Sequence, residues 1–87
     1  KEKYLFQGTI NASVISPREI FLEALSARAV QIILLHNHPS GDARPSREDL
    51  QATKRVFEAG ELLGIQLTDH IIIGEHTYVS FREKHYL

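Results

Sequence analysis

Four residues at fixed spacing carry the chemistry of this sequence: His36 and His38 on either side of Asn37, then Ser46 and Asp49 beyond a short stretch rich in proline and glycine. In an extended backbone, side chains two apart project to the same face, so the two histidines offer imidazole nitrogens toward one point beyond a strand end. Asp49, in the first turn of a helix opening at Ser46, brings a carboxylate to that point if the intervening loop folds the helix start back over the strand. Two imidazoles and one carboxylate suit zinc, which in catalytic sites takes three protein ligands and keeps a fourth position for water. Water held there has its pKa lowered from about 15.7 to roughly 7, so hydrolysis is the natural use. A histidine pair alone is a weak signal, since such pairs occur on ordinary strands. The pair followed by this loop, a serine and an aspartate at this spacing is much more specific.

The elements that must position these residues are legible along the chain. Val30 to His36 reads as a strand from its β-branched and apolar content, and apolar residues on both faces predict a central strand buried between two layers. Pro39 to Pro45 interrupts any ladder and ends it. Ser46 then caps a helix with Asp49 three residues on, and Leu50, Thr53, Val56, Phe57 and Leu63 follow at helical spacing up to a stop at Gly64. An earlier helix starts at Ser16-Pro17-Arg18-Glu19, with a serine cap, proline at the first position and glutamate three residues after the cap. Its stripe of Ile20, Phe21, Ala24 and Leu25 ends near Ala27. Tyr4 to Val14 suggests a strand or two around Gly8. Ile65 to Leu67 and His70 to Ile73 look like strand pieces, and a turn at Gly74 to His76 leads into a strand from Thr77 to Phe81, as in a hairpin. The order strand, helix, strand, helix, strand, strand favours an α/β class, a mixed sheet with helices packed on it.

Composition narrows the function classes. The 87 residues allow one domain, and 43% apolar with 24% charged residues lies in the globular range. Ten Lys and Arg against eleven Asp and Glu leave a formal charge of -1, so no basic excess exists to neutralise nucleic-acid phosphates or anionic lipid. Zero cysteines exclude disulfides and thiolate metal sites. The longest apolar run, Ile32 to Leu35, is far short of a membrane span, and Lys1-Glu2-Lys3 opens no signal peptide, so a soluble cytoplasmic protein is expected. The absence of methionine suggests residues excised from a longer polypeptide.

His36-Asn37-His38-Pro39-Ser40-Gly41-Asp42 followed by Pro45-Ser46-Arg47-Glu48-Asp49 resembles the JAMM motif of the MPN/JAB metalloprotease superfamily, H-x-H-x(7)-S-x(2)-D. Gly8-Thr9-Ile10-Asn11, Pro17-Arg18-Glu19 and Asp69-His70-Ile71-Ile72-Ile73-Gly74 extend the resemblance to the bacterial RadC-like JAB domain, over nearly the whole chain. The resemblance implies a single domain over residues 1–87, truncated at its N-terminal side, with a mixed β-sheet flanked by helices in the JAB/MPN (cytidine deaminase-like) architecture. It also implies zinc held by His36, His38 and Asp49, and a catalytic Ser46 that helps hold the oxyanion formed when water attacks an amide carbonyl. JAMM peptidases further use a glutamate upstream of the histidine pair to relay a proton. Glu2 is the only acidic residue before Gly8, and Glu19 is explained by helix capping, so the glutamate is either Glu2 or a residue before Lys1.

Plainer roles stand beside these. Ser46 and Asp49 make an ordinary N-cap with an acid in the first turn; at motif spacing from two histidines, metal ligation by Asp49 is preferred, and for Ser46 both roles stand level. His70 is expected to be a hydrogen-bonded structural residue, because Asp69 and His70 face opposite sides of a strand. His76 and His85 are expected in solvent, Asn37 to point away from its neighbours, and Arg44 and Arg47 to be solvated. Three function classes follow: a zinc-dependent hydrolase acting on a peptide or isopeptide bond of a protein substrate, a metal-binding but inactive interaction module, and a DNA-repair accessory that the charge balance does not support. An unpaired edge in a truncated sheet also invites homodimerisation.

Overall fold

The structure, a computed structural model, describes residues 7–11 and 16–87. Strand β1 (Gln7–Asn11), helix α1 (Pro17–Ser26), strand β2 (Gln31–Asn37), helix α2 (Arg47–Leu63), strand β3 (Gln66–Ile73) and strand β4 (Tyr78–Ser80) follow in the predicted order. They form a four-stranded sheet in the order β1-β2-β3-β4, with β1, β2 and β3 parallel and β4 antiparallel to β3. The rest of the expected Tyr4 to Val14 segment, and Glu2, lie outside the described residues.

Two successive strand-helix-strand units that step in one direction across a sheet put both helices on the same face when their crossovers share a hand. The core bears this out: Ile20, Phe21 and Ala24 of α1 and Val56 of α2 pack with Ile32 and Leu34 of β2 and Leu67 of β3. β2 is central, as expected, but among the described residues it is not buried between two layers. Ile32 and Leu34 are fully buried under the helices, whereas Ile33 and Leu35 on the opposite face are only half-buried among the described residues. Continuous apolar content therefore overstated coverage; the burial alternates as on a one-sided sheet. In α2 the inward stripe is Asp49, Ala52, Thr53, Val56 and Gly60, while Leu50 and Leu63 turn outward.

β3 is one continuous strand with a bulge. Ile32 pairs with Leu67 and Ile33 with Asp69, so Thr68 is an extra residue and the alternation changes phase there. Leu67 and His70, three apart, consequently both face the helices. A second cluster of Ala43, Ile72 and Phe81 fastens the loop after β2 to the β3–β4 hairpin.

Candidate metal centre

The C-terminal end of β2 and the first turn of α2 meet. Ligand atoms of His36, His38 and Asp49 all lie within 4.8 Å of one another, a group that can hold a metal ion. His38 Nε2 is 3.2 Å from Asp49 Oδ2, and His36 Nδ1 is 3.6 Å from Asp49 Oδ1. The two imidazole rings stand edge to face, 4.7 Å between centroids at 84°.

Local backbone chemistry fixes each ligand. His38 Nδ1 lies 2.9 Å from the Asp42 carbonyl, which can only accept, so Nδ1 carries the proton and Nε2 presents its lone pair toward Asp49. Two acceptors then face each other at 3.2 Å, an arrangement that calls for a shared positive charge, from a proton or from a metal cation. His36 Nδ1 is buried without a hydrogen-bond partner, as a nitrogen reserved for a cation would be. Asp49 is fixed by a reciprocal capping box: Ser46 Oγ accepts the Asp49 N–H at 3.0 Å, and Asp49 Oδ2 accepts the Ser46 N–H at 2.8 Å. Capping and ligation are thus not rivals at Asp49. The cap orients the carboxylate and leaves Oδ1 turned toward His36.

The loop bearing Asp42 is held from beside the site. The His38 N–H donates to the Ile73 carbonyl at 3.0 Å, and the Glu75 N–H donates to the Gly41 carbonyl at 2.8 Å. Gly41 adopts a left-handed φ of 86°. A side chain at Gly74 would meet the Gly41 carbonyl oxygen at 2.4 Å, so only glycine lets the hairpin turn seat against this loop.

Electrostatics follow from burial and from these contacts. Burial is the largest influence on His36 and lowers its pKa; the Asp49 charge opposes that and His38 reinforces it. Burial would raise the Asp49 carboxyl, but the backbone and hydroxyl of Ser46, aided by His36 and His38, outweigh it and hold the group below its usual value. Asp49 is therefore favoured as the ionised carboxylate and His36 as the neutral imidazole, the protonation states that metal coordination requires.

The model of the RadC-like JAB domain matches residues 1–86. The chain belongs to that family. A UPF0758 protein of Bacillus licheniformis is 54% identical over 86 residues, covering 99% of this chain and 38% of the relative. UPF0758 proteins of Bacillus pumilus, at 54% over 83 residues, and of Bacillus cereus strain G9842, at 55% over 80 residues, cover 95% and 92% of this chain and 37% and 36% of the relatives. The chain thus spans under two-fifths of the length of the curated relatives it matches.

Other residues of this RadC-like JAB domain fall where the sequence placed them, with one exception. Asn37 is exposed, and His76 and His85 are exposed with left-handed backbones. Asp69 faces away from the metal ligands, where its carboxylate accepts the backbone N–H groups of His70 and Arg82 and the Ser80 hydroxyl. Arg44 is exposed, as expected, and in solvent it closes on Asp42 at 2.7 Å and pulls that carboxyl down to about 2. His70 is the exception, since it is fully buried but not fully satisfied. Nδ1 meets Thr53 Oγ1 at 2.7 Å, Nε2 has no partner, and the ring stacks on His36 at 5.8 Å. The bulge at Thr68 hides this from strict alternation; the sequence signal was a histidine leading directly into Ile71-Ile72-Ile73. No helix among the described residues is long and apolar enough to cross a membrane.

Proposed function

We propose that this chain forms the zinc centre of a JAMM-type metallohydrolase acting on a peptide or isopeptide bond. The observation that carries the reading is the convergence of His36, His38 and Asp49 at the end of β2, with the His38 tautomer already set by the Asp42 carbonyl. His36, His38 and Asp49 would hold the ion, which when bound supplies a water nucleophile at neutral pH and a Lewis acid for the scissile carbonyl. Ser46 has a second capacity that its capping role leaves intact. Its oxygen accepts the Asp49 N–H, and its hydroxyl hydrogen, which supports the Asp49 carboxylate, would donate to an oxyanion beside the ligands when turned from that carboxylate. The proton relay falls to a glutamate that is either Glu2 or a residue preceding Lys1.

The test is zinc content together with hydrolysis of a peptide and isopeptide panel by the full-length protein. Stoichiometric zinc and cleavage are expected, with Ser46→Ala lowering kcat by about 100- to 1000-fold. Stoichiometric zinc without cleavage would favour a metal-binding interaction module, and absence of zinc from protein that loses nothing on His36→Ala/His38→Ala substitution would end both readings.

A further inference from the structure

We propose that His70 is a positioning residue for the metal centre: it sets the ring plane of one ligand and, through Thr53, the place of another. The inference rests on the metal-centre reading above and extends it to residues outside the motif.

His70 is held by two rings and one hydroxyl. Phe81 stacks on the ring at 4.5 Å and 23°, and His36 at 5.8 Å and 21°, so ring contacts run from the second core cluster through His70 to a metal ligand. At the ring edge, Nδ1 lies 2.7 Å from Thr53 Oγ1, and that hydroxyl lies 2.6 Å from the Asp49 carbonyl oxygen. A carbonyl can only accept, so the hydroxyl donates to Asp49 and accepts from His70 Nδ1–H. The chain of contacts therefore ends on the main chain of the aspartate whose carboxylate faces both histidines.

Packing alone does not account for an imidazole here. An apolar ring would fill the same space without burying an unpartnered Nε2, and a buried polar atom without a partner destabilises a fold. What the imidazole adds over a phenyl ring is the bond to Thr53. Residues that orient metal ligands in this way commonly tune affinity by about 10- to 100-fold.

The test uses the full-length protein, with zinc affinity read by competition against a chromophoric chelator and ligand geometry read from the visible spectrum of the cobalt(II) form. His70→Phe keeps the ring and loses the bond; Thr53→Val removes the hydroxyl at constant shape, and Thr53→Ser restores it. His70→Phe and Thr53→Val are each expected to bind zinc about tenfold more weakly and to shift the cobalt bands. Their double variant should be no worse than either single one, and Thr53→Ser should stay within about twofold of the parent. Ser80→Ala, which cuts the Asp69 contact on the other side of β3, should lower the melting temperature and leave zinc affinity and the cobalt spectrum unchanged. If one substitution prevents folding, the other carries the comparison. The inference is overturned if His70→Phe and Thr53→Val bind zinc within twofold of the parent with its cobalt spectrum, or if Ser80→Ala weakens binding as much as they do. A parent protein that binds no zinc would instead bring down the metal-centre reading, and this inference with it.

Discussion

The two helices begin with the same local signal, a serine cap with an acid three residues later, and put it to different use. At α1, Ser16 Oγ accepts the Glu19 N–H at 3.5 Å, and the Glu19 carboxylate lies in solvent 3.5 Å from Arg18. At α2 the box closes in both directions at 3.0 and 2.8 Å, and Asp49 is 8% exposed with two imidazoles against it. A cap holds an acid still at the positive end of a helix wherever it occurs. It becomes part of a site only where a strand end delivers further ligands to the same point.

The largest contrast is in metal affinity. Asp49→Ala or His38→Ala should weaken zinc binding by more than the roughly 100-fold typical of supporting residues, whereas Glu19→Ala should leave it within about twofold, as read by chelator competition. A drop with Glu19→Ala would erase the distinction between the helix ends. Next comes acid sensitivity of the metal-free protein. Burial, with help from His36 and His38 and against the charges of Asp49 and Asp69, pushes His70 down to about 4. The unfolded chain, with a histidine near 6.5, binds more protons between these values. The stability is therefore complete above pH 6.5 and is lost as pH falls toward 4, by about 3 kcal/mol. Denaturant titrations across that range should show the slope, and His70→Phe should flatten it. Asp49 acts in the same sense at lower pH, since its lowered pKa contributes stability above the ordinary carboxylate range that is lost on acidification.

Cap removal separates the two ends more finely. Ser46→Ala should cost about 1 kcal/mol of unfolding free energy and weaken zinc binding as well. Ser16→Ala, which breaks a longer contact, should fall near the low end of about 0.5 kcal/mol and leave zinc binding alone. Smallest of all, Glu19→Gln should change stability by less than about 0.5 kcal/mol, because the Arg18 pair is solvent-exposed.

Much of the fold was legible because its signals are local. Both helix starts, the left-handed stop at Gly64 and the strand leading to His36 follow from caps, glycine and side-chain branching over a few residues. Where the expectations failed, the missing information was non-local. The half-buried outer face of Ile33 and Leu35 depends on what covers a sheet, and the unpartnered Nε2 of buried His70 depends on what packs around its ring.

The candidate site divides along the same line. Sequence by itself determined which side chains share a face: parity along an extended strand aligns His36 with His38, and a cap at Ser46 places Asp49 in the first turn of its helix. Tertiary structure alone decided that these two ends meet, that the Asp42 carbonyl selects the His38 tautomer, and that His70 rather than Asp69 lies against His36. The reason for the last is a single extra residue: the bulge at Thr68 shifts the phase of β3, and a phase shift arises from how two strands pair, which neither strand encodes alone.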